Sequence, residues 1–361
     1  MEKKIIQLLF ICYFFHELII VSSALQVGFY AKKCRAAESI VQQEVQRSFS
    51  TDRSITAALL RMYFHDCFVR VRNNIVYFVQ GCDASILIDS KNTGNKQSEK
   101  DAGPNQSVRG YEVIDRIKSR VESACPSTVS CADIIALATR DSVALAGGPK
   151  YNIPTGRRDG LISNPSEVNL PGPSLTVEEA LKFFTNKGFS LNDMVTLLGA
   201  HTVGITHCSL IQDRISRFDG SIDSNLFTRL SKTCAARNND PSVFLDQSTS
   251  FIVDNEFYKQ IRLKKGLLKI DQQLASDRSS AGIVENFSIN PKAFQQAFAN
   301  ALIKLGNTQV LEGKFGEIRK NCRAFNPPAQ QKKRQPRKKS FRPKNPPPRK
   351  GSKFSIPFIA P

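Results

Sequence analysis

The sequence predicts a mainly α-helical protein with few, short strands. Three observations carry that expectation. Apolar residues recur every three to four positions in several segments, one long alanine-rich stretch reads as a buried helix, and two-residue alternation of the β type is scarce. In order along the chain, Val41, Val45 and Phe49 repeat at a spacing of four within residues 39–49. Val113, Ile117 and Val121 do the same. Residues 131–146 form the alanine-rich stretch, and residues 181–184, 194–198 and 294–305 add further helical segments. Gly147-Gly148-Pro149 and Pro171-Gly172-Pro173 break the pattern and read as turns. No internal repeat is present.

The chain has 361 residues, enough for about two domains and for a core that hides a cofactor. Its formal net charge of +19 is unevenly placed. Residues 327–361 hold eleven Lys or Arg and no acid, and setting these aside leaves +8 for the rest. A Pro- and Lys-rich stretch of this kind cannot bury a core and is expected to be a disordered tail. Its charge suits polyanions such as acidic polysaccharide or nucleic acid. Phe341, Phe354 and Phe358 are too widely spaced for a stacking platform, so specific nucleic-acid recognition is not expected.

Residues 1–24 read as a secretory signal. Lys3 and Lys4 start it, residues 5–15 form the apolar run, and Ser22 and Ala24 offer small residues before a cut. The run is broken by His16 and Glu17, and no later segment reaches the ~20 apolar residues of a spanning helix. Nine cysteines occur, of which Cys12 lies in the signal. The remaining eight, in a secreted chain, point to disulfides, with about 105 pairings open. No C-x-x-C spacing supports a zinc cluster.

Four histidines occur. His65 follows Arg61 by four residues, so on a helix the two share a face. An Arg and a His aimed into one cavity make a proton-transfer and charge-stabilising pair, although a surface pair is the commoner case. His201 ends an apolar segment at Gly199-Ala200-His201, a setting that suits an axial metal ligand as well as a hydrogen-bonded core histidine. His207 has no partner motif and reads as structural.

Taken together these segments resemble plant secretory (class III) haem peroxidases. Residues 60–88, apart from one interruption, resemble that family's distal signature, and residues 193–208 its proximal haem-ligand signature. Residues 152–160 and 318–322 match as well, and the resemblance covers residues 25–326. It implies a two-domain helical fold with one non-covalent haem b between distal and proximal domains. His201 would be the axial ligand, with Asp271 accepting its other ring N–H and raising ligand basicity. His65 would be the distal base, oriented by Asn105, and Arg61 would stabilise charge on the departing peroxide oxygen. Phe64 would pack beside the haem, and the backbone of Pro171 would contact aromatic donors. Two calcium sites are implied, one at Asp66, Val69, Gly81, Asp83 and Ser85, the other at Thr202, Asp246, Thr249, Ile252 and Asp254. The ligands are hard oxygens of the kind calcium prefers. The implied disulfides are Cys34–Cys125, Cys67–Cys82, Cys131–Cys322 and Cys208–Cys234. Asn286-Phe287-Ser288 is a candidate glycan site, whereas a glycan in Asn105-Gln106-Ser107 would collide with the role of Asn105.

The expected function follows: a secreted, monomeric, cell-wall peroxidase, with a vacuolar destination as the alternative, acting on hydrogen peroxide and small phenolic donors. Some positions depart from the family. Residues 71–80 interrupt the distal motif inside the calcium loop and lengthen the Cys67–Cys82 spacing from 5 to 15. Loop-closure entropy tolerates that at under ~1 kcal/mol. Val codons begin GT and a Gln codon can end AG, so these ten residues have the boundaries of a translated intron. An impaired, wall-binding peroxidase-like protein is the rival reading that the insert raises. Arg35 and Tyr151 replace a common Pro and Trp, and Gly103, Ser174 and Leu210 stand where aromatics can occur.

Overall fold

The computed structural model describes residues 25–69, 81–235 and 240–328. The expected signal, the insert and all but the first two residues of the expected tail lie outside the described residues. Twelve α-helices and one two-stranded antiparallel sheet occur among the described residues.

The first four helices are α1 (Ala37–Thr51), α2 (Ile55–Phe68), α3 (Tyr111–Ala124) and α4 (Cys131–Leu145). The repeat read from the sequence is the packing face of α1, where Ile40, Val41 and Val45 are buried. Helix α4 is buried over most of its length and packs against α1, α2 and α3. Its start is fixed by Ser130, whose side chain accepts from the Asp133 N–H at 3.1 Å. This group forms the distal half.

The proximal half holds α5 (Val177–Thr185), α6 (Leu191–Leu198), α7 (Gln212–Ile215), α8 (Ser224–Thr233), α9 (Glu256–Arg262), α10 (Lys269–Ser276) and α11 (Ala281–Ile289). Capping boxes open α5 at Thr176/Glu179 and α6 at Ser190/Asp193. Strands β1 (Ile205–His207) and β2 (Ser242–Phe244) pair with Ile205 opposite Phe244. Helix α12 (Pro291–Gly306) packs on α6 and on α2, so it touches both halves. Lys304 of α12 meets Asp193 of α6 at 2.7 Å. Arg157 and Asp133 form an ion pair at 2.8 Å with neither side chain exposed. The Arg157 Nε also donates to the Gly306 carbonyl at 2.7 Å, which ties the central loop to α12. Burying such a pair is tolerable because Nε and Nη1 both find acceptors, although Nη2 has no hydrogen-bond partner among the described residues. The two halves share one continuous apolar core.

All four implied disulfides form. Cys67–Cys82 closes despite the intervening residues.

Candidate active site

Helix α2 carries Arg61 and His65 on one face, as the four-residue spacing predicts. The Arg61 Nε lies 3.3 Å from His65 Nε2. His65 Nδ1 lies 2.7 Å from Asn105 Oδ1, and Asn105 Nδ2 donates to the Glu99 carbonyl at 2.7 Å. That second bond fixes the amide orientation. The Asn105 oxygen must then accept, so His65 carries its proton on Nδ1 and presents Nε2 as a base. Burial and then the Arg61 charge hold the His65 pKa down to about 3, against the opposing pull of Asn105. The imidazole is therefore neutral across the ordinary pH range.

Arg61 is anchored by groups the sequence reading did not single out. Its Nη1 donates to the Ser107 carbonyl at 3.2 Å and hydroxyl at 3.0 Å, and its Nη2 to the Pro104 carbonyl at 2.9 Å. The available signal was the sequon ending at Ser107, read only as a glycosylation motif. Asn105 is 1% exposed with both amide ends bonded, so this sequon has no room for a glycan. Phe64 stacks on Phe68 with ring centres 4.6 Å apart and meets His65 at 6.2 Å. Pro171 lies half-buried in a strap whose Asn169 N–H donates to the Val69 carbonyl at 3.1 Å. The Pro173 carbonyl of the same strap accepts from Ile270 at 3.1 Å, which joins the distal side to α10.

On the proximal side α6 runs into a 3₁₀ turn, Gly199–Thr202, that carries His201. Gly199 is needed there for space. A Cβ at that position would sit 2.2 Å from the Tyr258 hydroxyl and 2.8 Å from Phe294. His201 Nδ1 meets Asp271 Oδ1 at 2.8 Å, and Asp271 belongs to the first turn of α10. Burial lowers the His201 pKa, but the Asp271 charge and hydrogen bond outweigh it, and the net shift is upward. The Arg61 charge is a smaller influence that opposes that rise.

The residues present fit a haem. The His201 side chain is 28% accessible although it is set deep in the fold, so it lines an internal space. Its Nε2 has no partner among the described residues, and the carboxylate on Nδ1 is the arrangement that orients a metal-binding imidazole.

The oxygen clusters also converge. Cys82 and Ala84 adopt left-handed backbone at φ 47° and 58°. The turn lets the Ala84 N–H donate to Asp66 Oδ2 at 3.0 Å, with Asp83 alongside. Burial, and then the Asp83 charge, push the Asp66 pKa up to about 8. Asp66 Oδ1 is buried with no hydrogen-bond partner. Two buried acids and an orphaned oxygen fit a divalent cation. The Val69 carbonyl, Gly81 and Ser85 belong to the same loop ends, and the Gly81 N–H is held by the Gln309 carbonyl at 2.9 Å. In the second cluster, Thr202 Oγ1 lies 3.1 Å from Asp254, 3.4 Å from Asp246 and 3.4 Å from the Ile252 carbonyl. Thr249 Oγ1 joins at 3.1 Å from Asp254 and 3.3 Å from Asp246. No group of three His, Cys, Asp or Glu side chains among the described residues forms a metal cluster, so both oxygen sites depend on hydroxyls and carbonyls.

Comparison with known proteins gives the family. The family model for peroxidase matches residues 41–290. The chain is 54% identical to Peroxidase 44 of Arabidopsis thaliana, over 84% of this chain and 93% of that protein. It is 53% identical to Peroxidase 57 of Arabidopsis thaliana over the same shares. Peroxidase 5 of Vitis vinifera is 43% identical, over 84% of this chain and 92% of that protein. With its helical fold and these relatives, the chain belongs to the plant class III peroxidases and is a haem peroxidase.

Proposed function

We propose that this peroxidase is secreted and oxidises small phenolic donors with hydrogen peroxide, using one haem b and two calcium ions. The observation that carries the reading is the pairing of His65, whose Nδ1 is held by Asn105 at 2.7 Å and whose unprotonated Nε2 lies beside the Arg61 Nε at 3.3 Å, where a base and a cation can act on one peroxide. Bound at His201, the haem would supply the iron at which one peroxide is reduced to two waters while two phenols each lose one electron and one proton.

The chain's own residues handle the protons and charge. His65 Nε2 takes the proton of the nearer peroxide oxygen and returns it to the departing one. Arg61, held by Ser107 and Pro104, offers a fixed positive charge where the departing oxygen gains negative charge. Asp271 keeps His201 oriented with Nε2 forward. Phe64 and its stacked neighbour Phe68 narrow the distal space, so donors are oxidised at its edge near Pro171.

The eleven basic residues of 327–361 support retention on acidic wall polysaccharide. The closed Cys67–Cys82 bridge and the paired distal acids support an active enzyme over an impaired wall-binding protein. The test is an absorbance spectrum and a guaiacol assay on the full-length chain, beside a variant lacking residues 71–80. The reading expects a Soret band and peroxide-dependent turnover in both. Replacing His65 with Ala should slow turnover by about 10²–10⁴-fold with the Soret band retained. Replacing His201 with Ala should abolish haem retention. Folded protein that shows no Soret band with excess haemin would end the proposal.

A further inference from the structure

A strip of aromatic, aliphatic and cationic side chains crosses the surface beside the second oxygen cluster. Arg53, in the turn between α1 and α2, has its guanidinium carbon 5.8 Å from the ring centre of Phe49 and 5.8 Å from that of Phe251. Phe251 meets Phe244 edge to face at 5.3 Å. Phe244 lies directly across the β-ribbon from Ile205, and residues opposite one another in an antiparallel pair share a face. Phe244 is 40% exposed and Ile205 48%. Two large apolar side chains are thus displayed together near a cation.

That cation is available. Among the described residues none hydrogen-bonds or ion-pairs with the Arg53 guanidinium, which is held only by its two rings. The adjacent acid, Asp52, is already taken by Arg109 at 3.1 Å and by the Ser54 N–H at 2.8 Å.

We propose that this strip binds an aromatic carboxylate, with the ring against Phe244 and Ile205 and the carboxylate on Arg53. A guanidinium carries its donors in a planar fork that matches a carboxylate. Stacking between two rings has already restricted the side chain, so little further ordering is needed on binding. The exposed ring of Phe244 and the flank of Ile205 supply apolar area for an aromatic partner. A neutral phenol leaves Arg53 unused, and an aliphatic acid leaves the apolar face uncovered. The site therefore selects for both features in one molecule. It involves none of the residues assigned to haem or peroxide, so it goes beyond the proposed activity and can stand or fall separately.

The test is calorimetric titration of the full-length haem-loaded protein with ferulate, its methyl ester and acetate. Ferulate should show a binding component that the ester and acetate lack. Arg53→Gln should weaken that component by about tenfold, the loss of one charge-assisted contact. Arg53→Lys should weaken it less, because the charge stays and the planar fork is lost. Phe244→Ser should weaken it while guaiacol turnover stays unchanged. Equal ferulate affinity in wild type, Arg53→Gln and Phe244→Ser would overturn the proposal, as would an ester that binds as tightly as the acid. A dimer in sedimentation that Phe244→Ser abolishes, with no ferulate component, would overturn it in favour of self-association. If Arg53→Gln does not fold, Phe244→Ser and the comparison of acid with ester decide the matter.

Discussion

A single amide sets the proton placement on the distal side. Asn105 donates to the Glu99 carbonyl and so must accept from His65, which leaves Nε2 unprotonated. Replacing Asn105 with Val removes the acceptor and frees the ring. The expected result is a slower peroxide step, by about tenfold or more, with an unchanged Soret band in stopped-flow measurement. The pH dependence follows from the depressed His65 pKa. Folded, it sits at about 3, below the ordinary 6.5. Between those values the unfolded chain binds a proton that the folded chain refuses. His65 thus contributes nothing above pH 6.5 and progressively destabilises the fold as pH falls from 6.5 toward 3. The acid limb of the peroxide reaction should accordingly lie near the low end of that window. Replacing Arg61 with Leu removes a positive neighbour, so the limb should move to higher pH; an unmoved limb would contradict the electrostatic account. The Arg61–His65 pairing was legible in the sequence from helical spacing alone. Its anchors at Pro104 and Ser107 were not, because they lie more than forty residues away along the chain and two of the three acceptors are backbone oxygens that any residue type supplies.

Among the elements, helices were the most legible. The repeats at 41, 45 and 49 and at 113, 117 and 121 fall on α1 and α3, because a buried face at helical spacing is a local property. The ribbon of β1 and β2 has three residues in each strand and left no alternation to read. The turn bearing His201 was legible only as Gly-Ala-His. Its tight seating under Tyr258 and Phe294 is tertiary. Gly199→Ala should therefore displace this turn. The expected cost is about 1–3 kcal/mol of stability and weaker haem retention, checked by thermal unfolding and haemin titration. For the loop closed by Cys67–Cys82, deletion of residues 71–80 should change stability by no more than about 1 kcal/mol, since loop length enters only logarithmically. A larger change in denaturant midpoint would mean that the insert is integrated into the fold.

Across the whole molecule, charge is what binding partners encounter first. Truncation at Asn326 removes eleven of the positive charges, so the shortened protein should elute from an acidic polysaccharide column at lower salt with its turnover unchanged. The acid pairs at Asp66/Asp83 and Asp246/Asp254 are the other global lever. A site occupied at a hundredfold excess over its Kd adds about 2.7 kcal/mol, so chelation should lower Tm by several degrees in calorimetry. One short segment has a further consequence. Pro104, Asn105 and Ser107 grip the proton-handling imidazole and the charge-bearing guanidinium from a single stretch of main chain. The two side chains proposed for catalysis hang from the same hook. Any drift of that stretch would disarm both together, so an enzyme with one working and the other idle is reachable only by exchanging side chains, never by loosening the loop.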